Sequence, residues 1–281
     1  MTDTPRPLLE VENMNVCFRM QSGDVEAVRN MSFTLGRERL GIVGESGSGK
    51  SQTGRAILGL TPPPGTMTAD RLVFDGIDLL RASRRKLRDI RGKRIAMVMQ
   101  DPKYSLNPIM TIGAQIVEAY QAHNRAGAKE SRDHALAMLE AVRIHDPQRV
   151  YDLYPHEVSG GMGQRAMIAM MLVTNPDLLI ADEPTSALDV TVQAEVLRIL
   201  DELVSERGMG LIFISHDLPL VSSFCNRVLV MYAGKVLEEV DACNLDNAKH
   251  PYTRGLYRCL PSLKCDVKPL PVLQRDPQWA A

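Results

Sequence analysis

The chain has 281 residues, 44% of them hydrophobic and 24% charged, with a formal net charge of -1. That length holds one large domain or two modest ones with a real core, and the near-zero charge excludes a global positive field for nucleic acid. Five cysteines make no disulfide scaffold at this length and read as small buried residues or free thiols of a reducing compartment.

The opening MTDTPRPLLE lacks the apolar core of a signal peptide. No apolar run reaches the length of a bilayer span, so any membrane role is expected to pass through a partner. Residues 8–18 alternate and end in Val16, Cys17 and Phe18, a strand pattern. QSGD (21–24) reads as a turn and 27–35 as a second strand. RLGIVGESGSGKS carries an apolar strand into a glycine loop, SQTGRAILGL has helical spacing, and TPPPG (61–65) stops it, since proline breaks the helix. RLVFDG (71–76) is a strand and turn, and KRIAMVMQ (93–100) a short apolar strand. RASRRKLRDIRGKR (81–94) is strongly basic, but with little aromatic interleaving it reads as a solvated surface segment rather than a nucleic-acid patch.

The texture changes at Asp101. DPKYSLNP is a loop, 111–145 predicts two or more helices, DPQRVYDLYPHE (146–157) breaks them, and 159–173 is again helical. PDLLIADE (176–183) and GLIFISHD (210–217) are buried-strand patterns flanking a helix over 190–208. NRVLVMYAGKVLEE (226–239) predicts two strands around a Tyr-Ala-Gly-Lys turn. Strands mixed with helical crossovers predict an α/β core. A helical insertion is expected over about 101–160, and little order in the proline-rich last twenty residues.

GESGSGKS (44–51) fits G-x-x-x-x-G-K-[ST] at every fixed position, between an apolar strand and a helix. Gly44, Gly47 and Gly49 let backbone amides turn inward around phosphate oxygens. Lys50 adds a point charge between the β- and γ-phosphates, Ser51 can ligand Mg²⁺, and the helix start adds its positive end. Glu45, Ser46, Ser48 and Gln52 complete the nucleotide-binding candidates of this segment.

LLIADEP ends a buried strand with Asp182 and Glu183. Burying two carboxylates costs several kcal/mol unless a cation or partner meets them, and strand ends of open α/β sheets are where ligands bind. Asp182 is a candidate for Mg²⁺ through water, and Glu183 for polarising an attacking water. Gln100, expected at the end of its strand, is a candidate for Mg²⁺ or its water. His216, at the end of another strand, is a candidate for bonding a γ-phosphate, and Phe18 for stacking on adenine or for the core.

These parts in this order resemble the nucleotide-binding subunit of an ABC transporter, over roughly 8–260. GESGSGKS resembles Walker A, LLIADE Walker B with its glutamate, Gln100 the Q-loop, SALD (186–189) the D-loop and His216 the switch histidine. VSGGMGQR (158–165) resembles the signature motif, with Met162 where glutamine is commonest. The resemblance implies a P-loop NTPase fold of ABC type: a core of about 8–100 and 161–240, an N-terminal antiparallel β subdomain, a helical subdomain of about 101–160, and an extension at 241–281. It implies ATP and Mg²⁺ as ligands, with Lys50, Gln100, Glu183 and His216 as the catalytic set. It also implies that Ser159, Gly160, Gly161 and Asp189 serve a nucleotide held by a second subunit.

VEAVRNMSF, LRDIRGKRIAMVMQDP, SLNP, YPHEVSGGM and HPYTRGL are similar to the oligopeptide, dipeptide and nickel importer group. That similarity implies a second homologous ATPase subunit, two transmembrane permease subunits and an external solute-binding protein acting indirectly, at the cytoplasmic face of the inner membrane. Di- or oligopeptides are the first expected cargo, and nickel, a metal chelate or an opine-like solute the alternative. A catalytically weak, structural or regulatory partner role is a further alternative, opposed by the intact Lys50, Asp182, Glu183 and His216. Some relatives carry four clustered cysteines and an iron–sulfur cluster in a longer tail. Cys243, Cys259 and Cys265 do not match that pattern and are expected to be structural or free thiols.

Overall fold

The alternating run at the start of the chain forms β1 (Leu9–Met20), which turns back into β2 (Gly23–Leu35), antiparallel from Leu9↔Leu35 to Met20↔Gly23. Leu9, Met14, Val16, Met31 and Leu35 are 0% exposed, the one-sided burial expected of an antiparallel pair. β3 (Arg39–Gly44) follows, buried along nearly its whole length, and runs through the glycine loop into α1 (Lys50–Ile57). β4 (Gly65–Thr68), β5 (Arg71–Phe74) and β6 (Ile77–Asp78) complete a sheet ordered β2-β1-β5-β6, with β4 also paired to β1. β4 and β6 are too short to carry a periodic signal, and sequence reasoning missed both.

The computed structural model describes residues 6–21, 23–186, 188–259, 273 and 276–279. Its contacts divide into two units, Met1–Arg81 with Ile212–Ala281, and Ala82–Leu211. The second unit opens with α2 (Arg84–Ile90), capped by the Ser83 side chain, so part of the basic cluster is helical. β7 (Ile95–Val98) leads into α3 (Pro102–Ser105), α4 (Ile112–Gln121), α5 (Ala128–Ala141), α6 (Pro147–Asp152) and α7 (Gly160–Leu172). β8 (Leu178–Asp182) pairs with β7 in parallel, Ile95↔Leu178 to Val98↔Ala181, and α8 (Val190–Glu206) follows.

The stretch 146–157, expected to interrupt the helices, contains α6 and a 3₁₀ turn at Pro155–Glu157. Asp146 takes a left-handed backbone (φ 54°) and its side chain accepts from the Arg149 amide, with Pro147 in the first turn. The residues read as breakers are helix starters.

The chain returns to the first unit within β9 (Gly210–Ser215), then forms α9 (Leu218–Phe224), β10 (Arg227–Tyr232), β11 (Lys235–Asp241) and α10 (Pro251–Arg258). β10 lies parallel to β3 from Arg227↔Leu40 to Met231↔Gly44, and antiparallel to β11. Ala233 (φ 45°) and Gly234 (φ 86°) form the β10–β11 turn, both with the positive φ a two-residue hairpin favours. Sequence reasoning anticipated the strands and that turn, but not α9 or α10. Among the described residues no helix is long and apolar enough to cross a membrane. Ser22 of the expected QSGD turn, Cys265, and most of the last twenty residues lie outside the described residues.

Candidate functional site

In the first unit the glycine loop is shaped by close approaches. A Cβ at Gly44 (φ 154°) would lie 2.1 Å from the Met231 carbonyl oxygen, and one at Gly49 (φ 100°) 2.1 Å from that of Ala27. At Gly47 (φ 80°) a Cβ would meet nothing within 4 Å, so this part of the loop faces open space. From behind, the Gly234 amide donates to the Ser48 carbonyl (3.1 Å), and the Gly234 carbonyl accepts from Arg29 N–H (2.8 Å). The β10–β11 turn and β2 therefore fix the loop that β3 delivers.

Lys50 is only 5% exposed. Its Nζ donates to the carbonyls of Gly44 (2.9 Å) and Glu45 (2.8 Å) and lies 3.5 Å from Ser48 Oγ. α1 starts on Gly49, which has no side chain to cap the first amides. Ser51 and Gln52 follow half-buried on the first turn. Gln52 Oε1 is buried without a hydrogen-bond partner. Ser46 and Gly47 are exposed. An ammonium, a hydroxyl and the positive end of a helix around an open glycine turn fit a polyphosphate.

Phe18 sits near the end of β1, half-buried, its ring against β4: a Cβ on Gly65 would fall 2.6 Å from Phe18 Cε1. His216 follows β9 and is exposed, and the next residue, Asp217, caps α9 through the Leu220 amide (3.0 Å).

In the second unit β8 ends on Asp182, 3% exposed. Glu183 then takes a left-handed backbone (φ 47°), which takes its side chain out of strand alternation. Gln100 Nε2 donates to Glu183 Oε2 at 3.1 Å. β7 ends at Val98, so Gln100 lies in the exposed segment entering α3 and not at a strand end as expected. The strand stops early because Met99 and Gln100 are exposed and have no buried face to keep paired.

Ser159 is the N-cap of α7, its Oγ accepting from the Met162 amide (3.3 Å). Asp189 caps α8, accepting from the Thr191 and Val192 amides at 3.1 Å each. A Cβ at Gly160 would meet nothing within 4 Å, whereas one at Gly161 would lie 2.6 Å from Val192 Cγ1, so the starts of α7 and α8 pack closely. The structure thus brings Gln100 beside Glu183, which follows Asp182 at the end of β8, and sets Ser159–Gly161 and Asp189 at two neighbouring helix starts.

Sequence reasoning missed two buried amides. Gln164 (2% exposed) donates to the Pro184 carbonyl (2.5 Å), tying α7 to the turn after Glu183. Gln115 accepts from the Asn107 amide (2.8 Å) and donates to the carbonyls of Asn107 (3.1 Å) and Met110 (3.0 Å), organising the segment before α4. Gln164 lay within a quoted motif, but nothing in the sequence marked Gln115. Among the described residues no group of three or more His, Cys, Asp or Glu could hold a metal ion. Within the second unit the Gln100 amide and the Asp182 carboxylate offer oxygen donors of the kind a hard cation takes, and within the first unit the Ser51 hydroxyl offers another.

A family model described as ABC transporter matches residues 28–186. The dipeptide transport ATP-binding protein DppD of Escherichia coli is 46% identical over 265 residues, 94% of this chain and 81% of that protein. The oligopeptide transport ATP-binding protein OppD of Bacillus subtilis is 45% identical over 261 residues, 92% of this chain and 73% of that protein. Among solved structures, the dimeric post-hydrolysis state of the ATP-binding cassette MJ0796 bound to ADP and Pi superimposes with a TM-score of 0.74 at 27% identity, covering 83% of this chain and 98% of that one. CbiO1 from Clostridium perfringens, part of the ABC transporter complex cbiONQ, gives 0.70 at 27% identity, covering 90% and 95%. The fold is that of a P-loop NTPase nucleotide-binding domain with a helical subdomain and an N-terminal β-rich subdomain.

Proposed function

The chain belongs to the ABC transporter family as an ATP-binding and ATP-hydrolysing subunit, and on that premise we propose that it powers the import of di- or oligopeptides. The observation that carries the ATPase chemistry is the fixed glycine loop closed around the buried Lys50 ammonium. The cargo rests on the relatives, named for dipeptide and oligopeptide transport.

In this reading the loop residues 44–52 bind the β- and γ-phosphates of ATP, and Lys50 holds charge between them. Phe18 stacks on the adenine. Ser51, Gln100 and Asp182 hold Mg²⁺ directly or through water; the ion, when bound, neutralises charge on the phosphate oxygens. Glu183, steadied by the Gln100 amide, orients and polarises the attacking water. His216 bonds the γ-phosphate. Ser159, Gly160, Gly161 and Asp189 present helix starts to the nucleotide of a second, homologous ATPase subunit.

We also propose that the working division is a core of 8–100 and 161–240, a helical subdomain of 101–160 that couples to the permeases, and an extension at 241–281. The subunit sits peripherally at the cytoplasmic face of the inner membrane with its ATPase partner, beneath two transmembrane permeases served by an external binding protein. The test is ATP hydrolysis by this chain with its co-encoded partners in lipid. The binding protein is loaded with peptides or with metal chelates, with and without Glu183→Gln. Peptide-stimulated hydrolysis that disappears in the variant is expected. Stimulation by a chelate alone overturns the peptide assignment, and full turnover in the variant overturns the role of Glu183.

A further inference from the structure

We propose that Tyr252 is a positioning residue for the phosphate loop, acting through Glu45 on Lys50; this rests on the reading that the loop binds ATP. The Glu45 amide donates to Tyr252 Oη at 3.3 Å. The carbonyl of the same residue accepts from Lys50 Nζ at 2.8 Å. A single loop residue therefore joins a hydroxyl on α10 to the ammonium of the cradle.

The ring that carries the hydroxyl is packed in an aromatic cluster. Tyr252 is 0% exposed, with ring centroids of Tyr232 4.8 Å away and Trp279 5.7 Å away. Trp279 also meets Tyr232 (6.1 Å) and His250 (5.8 Å), closing the aromatic cluster. The start of α10 is pinned as well: Glu238 of β11 accepts from the amides of Lys249 (2.6 Å) and His250 (3.1 Å), and His250 Nδ1 accepts from the Tyr252 amide (3.1 Å).

Packing alone would be met by phenylalanine. A buried hydroxyl needs a partner, and the loop amide of Glu45 is one here. The β10–β11 turn and β2 hold the loop at Gly44, Ser48 and Gly49, and the anchor at Glu45 holds it beside the exposed Ser46 and Gly47. Pre-ordering the carbonyl that steadies Lys50 lowers the ordering cost of binding a polyphosphate. The extension after β11 is thus part of the nucleotide site, although it carries none of the nucleotide motifs.

The test uses the full chain and a fluorescent ATP analogue. Tyr252→Phe keeps the ring and removes only the hydroxyl. One neutral hydrogen bond corresponds to an affinity loss of about threefold to tenfold, with the melting temperature lowered by about 1–6 °C. In hydrolysis with the partner subunits, KM for ATP is expected to rise by the same factor and kcat to stay within about twofold. Tyr257→Phe, on the exposed side of the same helix, is expected to bind like the parent. Lys50→Ala checks the underlying reading: if it binds the analogue as tightly as the parent, the loop is not the ATP site, whatever Tyr252 does. With Lys50→Ala unable to bind, unchanged affinity and KM in Tyr252→Phe overturn the proposal. So does an equal loss in Tyr257→Phe.

Discussion

Gly47 and Gly49 both have positive φ, 80° and 100°, but only Gly49 is pressed against another strand. An alanine at 47 meets open space and carries the conformational penalty alone, about 1–2 kcal/mol. An alanine at 49 carries that penalty and also puts its Cβ 2.1 Å from the Ala27 carbonyl oxygen, backbone that moves only with β2. Overpacking of this kind adds about 1–3 kcal/mol, for a total of about 2–5 kcal/mol. At about 2–4 °C per kcal/mol for a chain of this class, Gly47→Ala is expected to melt about 2–8 °C below the parent and Gly49→Ala about 4–20 °C below it. Thermal melts by circular dichroism, without nucleotide and in one buffer, give the comparison. If Gly49→Ala melts with or above Gly47→Ala, the contact with Ala27 does not shape the loop and the account given of its rigidity is wrong.

Glu183→Gln keeps the size of the side chain and its place beside Gln100. It is expected to lower ATP hydrolysis by about 10²-fold or more while nucleotide binding persists; parallel turnover and binding assays show whether the two separate. Gln115→Leu strands the Asn107 amide and two carbonyls at a cost of about 1–3 kcal/mol, with hydrogen exchange rising first at 107–111; protection unchanged there would sink the organising role. Burial pushes the Cys225 thiol up to about 12, with the Arg39 guanidinium offsetting only part of it. The unfolded thiol ionises near 8.5, so the native state keeps a proton that the unfolded state gives up. That contribution is complete below about pH 8.5 and is lost as pH rises towards 12. Alkylation at about pH 8 is expected to label the exposed Cys243 and spare Cys225, and comparable labelling of both would contradict the burial argument.

The phosphate loop was legible because its requirements are local: glycines where backbone conformation is unusual, then Lys50 and Ser51 at fixed offsets. The long strands and the helices at 159–173 and 190–208 were legible for a similar reason, since one buried face sets their period. β4, β6 and α3 run only two to four residues with mixed polar content, too few repeats to stand out from a turn, whereas β5 and β7, equally short, were legible because they are nearly all apolar. Asp146 and Pro147 suit a break and a helix start equally well, and only the backbone angle at Asp146 decides between them. Gln115, Gln164 and Tyr252 bond to loops fixed by tertiary packing, and no spacing rule connects them to their partners.

The first unit is assembled from two pieces of chain, and β3 receives β10 through contacts such as Arg39 N–H to Asn226 Oδ1, 187 residues apart in sequence. The second unit is one uninterrupted stretch, 82–211. During synthesis the later segment can therefore close on itself while the earlier one still waits for its partner strands. Contacts this distant in sequence are slow to form. Until residues past 227 leave the ribosome, β3 keeps an unpaired apolar edge, the kind of surface on which nascent chains aggregate. The nucleotide loop, although made well before those strands, becomes rigid only when they arrive.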